Sequence, residues 1–353
     1  MAKIDTYLQD IVAKKASDLH FIAGDPARMR LYGELRAIGS EKLAPAMVKE
    51  TLFEIMPKKA LARFEEKDGT DFAHTLGSVA RFRVNVMRHL GGMGAVFRVI
   101  PSQAATLEQL NLPEAVHGLC RQSNGLILVT GKTGSGKSTT LAAMIDDINK
   151  RVKGHIITVE DPIEFVHNRK SCLISQREIG VHAPSFAAAA LSALREDPDV
   201  ILIGELRDLE TISVAVTAAE MGVLVMGTLH TNGAAATVDR IVNAFPADKQ
   251  SHVRTMLSTS LRGVLSQQLI PKTGEAGRVA ALEVLVNTPA VANLIRQGKM
   301  DQLENTMQSG AAFGMRTMDS AIQALLDAGT ITGQDAYRKA INKTRFEQYR
   351  PTA

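Results

Sequence analysis

GLILVTGKTGSGKSTTLAAMI, residues 125–145, passes from an apolar run into a glycine-rich turn and out into a helix-forming segment. Gly131, Gly136, Lys137 and Ser138 satisfy G-x-x-x-x-G-K-[ST], with Thr133, Gly134, Ser135 and Thr139 completing the loop. Glycines let backbone N–H groups turn inward on an anion, and the positive end of the helix that starts there adds to the attraction. In such a loop the lysine supplies a point charge for the β- and γ-phosphates, and the serine hydroxyl is a ligand for Mg²⁺. A strand before and a helix after separate this turn from a chance cluster of glycines. A dinucleotide fingerprint is the rival reading, but Gly134-x-Gly136 is followed by Thr139 where a third glycine belongs. The stretch therefore predicts an ATP and Mg²⁺ site on an α/β domain.

Four more apolar runs repeat the pattern: GHIITVE (154–160), DVILIGE (199–205), GVLVMGTLH (222–230) and RVAALEVLV (278–286). Short apolar runs separated by helical stretches predict a parallel sheet covered on both faces. In such sheets ligands bind beyond the carboxyl ends of the strands. Three groups fall there. Glu160, Asp161 and Glu164 follow one run, Glu205 follows another, and His230 ends a third. Carboxylates at this edge suit Mg²⁺ and an in-line water, so Ser138, Glu160, Asp161 and Glu205 are the candidate metal-site residues. For Glu160 and Asp161 the residues alone fit a solvated loop equally well. A histidine ending an apolar run is either a satisfied core residue or a group aimed at the ligand.

The first hundred residues read differently. ARMRLYGELRAI, RFRVNVMRH and GAVFRVI are strand-like, and one charged helical stretch runs from about Pro45 to Lys67, giving a small α+β domain over 1–100. Ile4, Leu8, Ile11 and Val12 follow helical spacing. Arg81, Arg83 and Arg98 alternate with apolar neighbours and would project from one strand face, as a phosphate-directed set or as an exposed basic surface. A linker is expected at 101–112, a second domain at 113–353, and a helical portion from about 289.

Composition bounds the partners. Lys plus Arg number 41 against 37 Asp plus Glu, and the aromatic content is 4% with no Trp. Such a chain offers neither a strong basic excess nor stacking platforms for nucleic acid. Cys120 and Cys172 are far apart and outside any CxxC pair, which fits a reduced cytoplasmic setting. The N-terminus does not read as a signal peptide, and no apolar run approaches the roughly 20 residues of a membrane span. Any membrane contact would then pass through a partner.

GKTGSGKST, TVEDPIEF, ALREDPDVILIGELRDLETI, GTLHTN and AFPADKQSHVRTMLSTSLRGVLSQQL together resemble the bacterial secretion and pilus motor ATPases, and most of all the type IV pilus retraction ATPases. SDLHF, ARFRVNV with AVFRVIP, and PAVANLIRQGK are similar to further elements of that family, so the likeness covers nearly the whole chain. Extension and secretion relatives usually carry a four-cysteine zinc insert, which two lone cysteines cannot supply.

The resemblance implies an N-terminal PAS-like domain, a flexible linker and a C-terminal RecA-like ATPase domain, assembled as a homohexamer. Nucleotide would lie between the two domains. It further implies Lys137, Glu164 and Glu205 in catalysis, His230 as the sensor of nucleotide state, and Arg81, Arg83 and Arg98 reaching the phosphates. The implied partners are an inner-membrane pilus platform protein and other pilus ATPases, with the motor peripheral at the cytoplasmic face of the pilus base. Val291, Leu294, Ile295 and Leu303 belong to a segment that the family ties to retraction itself. Two positions depart from the pattern: Val223 replaces a histidine and Leu191 an arginine. The competing classes are a pilus extension or type II secretion ATPase, a RecA-like nucleic-acid translocase, and a non-hydrolysing assembly subunit.

Overall fold

The computed structural model describes residues 2–31, 34–77, 79–100, 104–274 and 277–351. Residues 101–103 of the expected linker and Tyr32 and Gly33 of the first strand-like stretch lie outside them. The chain divides into two compact units, Met1–Gln103 with Glu164–Val166, and Ala104–Ile163 with His167–Ala353.

The N-terminal unit runs α1 (Asp5–Ala13), β1 (Asp18–Ile22), β2 (Pro26–Leu31), β3 (Glu34–Lys42), α2 (Pro45–Ile55), α3 (Lys58–Lys67), β4 (Gly69–Leu76), β5 (Ala80–His89) and β6 (Gly92–Ile100). The strands pair antiparallel in the order β3-β2-β1-β6-β5-β4. The single helix expected over Pro45–Lys67 is two helices, because Met56 takes an extended conformation before Pro57. The ring of a proline disfavours helical backbone in the residue before it. Along β5, Phe82, Val84 and Val86 are buried while Arg83 and Asn85 are exposed, the alternation of a sheet with one covered face. Ile4, Leu8 and Ile11 of the first helical segment join Phe21, Leu52, Phe64 and Phe97 in this core.

The second unit contains α4 (Glu114–Cys120), β7 (Gly125–Thr130), α5 (Lys137–Arg151), β8 (His155–Glu160), β9 (Leu173–Glu178), α6 (Phe186–Ala193), β10 (Val200–Ile203), α7 (Leu209–Glu220), β11 (Leu224–Leu229), α8 (Ala234–Val242), α9 (Ala247–Ser260), β12 (Leu261–Pro271) and β13 (Arg278–Val286). The helices α10 (Pro289–Gln297), α11 (Leu303–Ser309), α12 (Met318–Asp327) and α13 (Gly333–Lys339) follow. The sheet order is β13-β12-β7-β11-β10-β8-β9. β7, β10 and β11 are buried along their whole length. Successive residues of β7 serve different layers. Leu126 and Leu128 join Ile212, Val216, Val238 and Leu257 from α7, α8 and α9. Ile127 and Val129 join Val116, Leu141, Met144 and Ile148 from α4 and α5.

RVAALEVLV departs from the all-parallel expectation: β13 pairs antiparallel with β12 as the edge strand, from Gly263↔Val286 to Pro271↔Arg278. A short connection of residues 272–277 joins the two strands, and only an antiparallel pair can close over so few residues. β9 and β12 were not read as strands. Their polar residues, as in LISQRE and SQQ, break the apolar run that marks a buried strand. Val291, Ile295 and Leu303 lie in the core with Leu294 packed at its margin. Ile295→Ala would therefore cost about 2–5 kcal/mol of stability, and only Leu294 can probe a surface role.

Candidate active site

The site is assembled at the carboxyl edge of the parallel strands. Gly131, Gly134 and Gly136 have φ of +137°, +77° and +90°, a region that side chains rarely enter. At Gly131 and Gly136 the need is also steric. A Cβ at Gly131 would overlap the Gln267 carbonyl oxygen, and one at Gly136 would come within 2.7 Å of the Gln267 amide nitrogen. Gly134 has open space around it.

Helix α5 starts at Lys137 with Gly136 as its N-cap, so no side chain caps its first turn. Those amides are left for another acceptor, which suits a phosphate. The hydroxyls of Ser135 and Thr130 are buried without a hydrogen-bond partner among the described residues. Lys137 is buried and donates to the Gly131 and Lys132 carbonyls at 2.9 and 3.3 Å. Ser138 and Thr139 are half-buried on the first turn, and Thr133 is exposed. The loop thus fits a nucleotide phosphate, with Lys137 turned onto the backbone.

Gln267, on β12, is the residue the sequence reading missed. It is 3% exposed, accepts from the Thr140 hydroxyl at 2.8 Å and donates to the Ser135 carbonyl at 2.7 Å. Its partners are more than a hundred residues away in the chain, so no local motif announces it.

Glu205 lies two residues beyond β10, fixed by its neighbours. Gly204 donates to the Val159 carbonyl at 2.7 Å, its own carbonyl accepts from Thr228, and Leu206 donates to the Thr228 carbonyl at 2.9 Å. One carboxylate oxygen of Glu205 meets Arg207 at 2.5 Å and His230 Nε2 at 3.1 Å. The bond and charge of Glu205, with a smaller contribution from Asp161, push the Arg207 guanidinium still higher. His230 follows the last residue of β11 and its side chain is 45% exposed, so it is not a core filler. It faces the carboxylate that the sequence assigns to Mg²⁺ or water. Val223 precedes the same strand at its far end, roughly 20 Å away at the rise of a β-strand. Leu191 is exposed on α6.

Glu160, at the end of β8, is buried and accepts from the Thr158 hydroxyl at 2.6 Å and the Gln176 amide at 3.1 Å. Gln176 also accepts from the His167 backbone N–H at 2.8 Å. Burial pushes the His167 imidazole down to about 4. Asp161 and Glu164 are exposed; the Ile163 N–H beside Glu164 donates to buried Glu178 at 3.3 Å. Among the described residues no three His, Cys, Asp or Glu side chains group closely enough to hold a metal by themselves.

In the N-terminal unit, Arg83 and Arg98 are cross-strand partners, with Arg81 two residues along the same face. Arg98 pairs with Asp18 at 2.9 Å and Arg83 with Asp71 at 3.6 Å.

The family model described as "Type II/IV secretion system protein" matches residues 1–338. The chain is 50% identical over 325 residues to the "Type IV pilus retractation ATPase PilT" of Pseudomonas aeruginosa, covering 92% of this chain and 94% of that one. It is 49% identical over 314 residues to a "Twitching motility protein" of Neisseria gonorrhoeae, covering 89% and 84%. Its fold is similar to the crystal structure of the pilus retraction motor PilT with bound ADP. The TM-score is 0.91 at 42% identity, and the match covers 99% of this chain and 100% of that one.

Proposed function

The chain belongs to the type II/IV secretion system protein family, and from that premise we propose that it is the motor that retracts a type IV pilus by hydrolysing ATP. The observation that carries the chemistry is a braced phosphate loop on the same sheet edge as Glu205 and His230. Backbone amides of residues 133–139 would receive the β- and γ-phosphates, and Lys137 would leave the Gly131 and Lys132 carbonyls to neutralise them. Mg²⁺ keeps waters and phosphate oxygens as ligands rather than an all-protein cage, which suits Ser138 with Glu160, Asp161 and Glu205 nearby. When bound it would neutralise phosphate charge. Glu205 would orient the attacking water, Glu164 would take its proton as the bond to ADP breaks, and His230 would report the γ-phosphate.

We read the N-terminal unit as PAS-like and the second as RecA-like, in a homohexamer with Arg81, Arg83 and Arg98 reaching the nucleotide. The partners would be the inner-membrane platform protein at the pilus base and other pilus ATPases, with the motor peripheral on the cytoplasmic side. No helix among the described residues is long and apolar enough to cross the membrane, which supports attachment through a partner.

Phosphate release by the purified chain, and pilus retraction in cells that lack their own retraction ATPase, test this reading. The native chain should do both. Lys137→Ala should weaken nucleotide binding about ten- to a hundredfold, the value of a charge-assisted bond, and restore no retraction. A native chain that hydrolyses ATP without restoring retraction would refute the retraction reading.

A further inference from the structure

One carboxylate lies deep in the sheet. Glu283 of β13 is 4% exposed within the apolar segment ALEVLV. No ion pair to it occurs among the described residues. Burial raises its pKa, opposed by two backbone hydrogen bonds. Those two bonds go to two different helices. Oε1 accepts from Ala234 N–H at 2.7 Å and Oε2 from Met318 N–H at 3.2 Å, the first residues of α8 and α12. Helix α8 has Gly233 as its N-cap and therefore no capping side chain of its own. Glu283 caps it from the sheet.

What precedes α8 is the loop His230-Thr231-Asn232-Gly233. Its downstream end is held by a pair of facing residues, since Ser266 and Glu283 are cross-strand partners. Gly233 N–H donates to Ser266 Oγ at 2.9 Å while Ala234 N–H reaches Glu283. Thr237 closes the turn, donating to the Gly233 carbonyl at 2.7 Å and contacting the Thr231 hydroxyl at 2.7 Å. The upstream end is β11. His230 stands between these two anchors.

We propose that Glu283 is a positioning residue for His230, and that its second oxygen ties the same loop to the start of the C-terminal helical segment at α12. Glu283 touches no reacting atom; it acts through Ala234. Two N–H groups aimed at two oxygens explain why a carboxylate stands here, since an amide has one acceptor and must release one helix. The kinetic part rests on the ATPase reading; the tie between the two helix starts does not.

The test uses full-length Glu283→Gln and Ser266→Ala, each alone and combined with His230→Ala, with kcat and the Kd of a fluorescent ADP analogue as readouts. Each single variant should lower kcat about tenfold, the loss expected of one bond to a charged or buried acceptor, with Kd within about twofold. Neither should slow the His230→Ala enzyme by more than about twofold, because the group they position is gone. An equal further loss in that background, or a single variant within twofold of the parent, overturns the positioning role. Should Glu283→Gln fail to fold, Ser266→Ala carries the same cycle through Gly233. Amide hydrogen exchange of folded Glu283→Gln reads the tie directly: Ala234 or Met318 should exchange faster, while Ser320, capped by Thr317, stays slow. Unchanged exchange at both amides refutes the tie. A parent enzyme without ATPase activity refutes the functional reading and leaves the exchange result standing.

Discussion

The phosphate loop and the acidic edge beside it are built in opposite ways. The loop is held from another strand by a buried amide, Gln267, through bonds of 2.7 and 2.8 Å. On the edge, Glu205 is held by side chains that reach into solvent, shared by Arg207, 70% exposed, and His230, 45% exposed. Stripping partners from buried polar groups costs about 1–3 kcal/mol, whereas exposed ion pairs are worth about 0–1 kcal/mol. The loop is therefore set before the ligand arrives. Glu205 can exchange its partners at little cost, as the proposed contacts with water, metal and phosphate in one turnover would require.

The largest effect that sharpens this contrast is expected at Glu205. Glu205→Ala should lower kcat by about a hundredfold or more, the cost of misplacing the attacking water, while leaving nucleotide Kd within a few-fold. A comparable loss of affinity would show that the edge also shapes the loop, and the contrast would fail.

Acid should strike the edge before the loop, through His167. Its folded pKa of about 4 lies below the ordinary imidazole value of 6.5, so between pH 6.5 and 4 the unfolded chain binds the proton and the folded chain does not. Stability from this group is complete above pH 6.5 and is lost as pH falls toward 4, a total of roughly 3 kcal/mol. Urea unfolding across that range measures it. His167→Gln, which cannot be protonated, should flatten the loss; an unchanged acid slope would place its cause elsewhere.

The smallest of the three belongs to the loop. Gln267→Met keeps the length of the side chain but strands the Ser135 carbonyl and the Thr140 hydroxyl. It should cost about 2 kcal/mol of stability by denaturation, and it should weaken nucleotide binding more than it slows turnover. A change confined to kcat would move Gln267 to the other side of the comparison.

How much of this could be read along the chain depended on distance. β7, β8, β10 and β11 were legible because strands covered on both faces are continuous apolar runs. β9 and β12 were not, since Gln176, Ser266 and Gln267 interrupt theirs with polar residues that serve the site. Pro57 broke a helix that periodicity alone would have continued.

By itself the sequence determined the α/β class, the phosphate loop from Gly131 to Thr139, and the positions of Glu205 and His230 at strand ends. Each of these is set by residues within a few positions, where backbone geometry and helix or strand period act directly. Only the tertiary structure decided that Gln267 braces the loop, that His230 faces Glu205, that Gln176 holds Glu160, and that Glu283 caps two helices. These are bonds between strands and loops distant in sequence, and their partners exist only once the hydrophobic burial of β7, β11 and β12 has brought the backbones side by side.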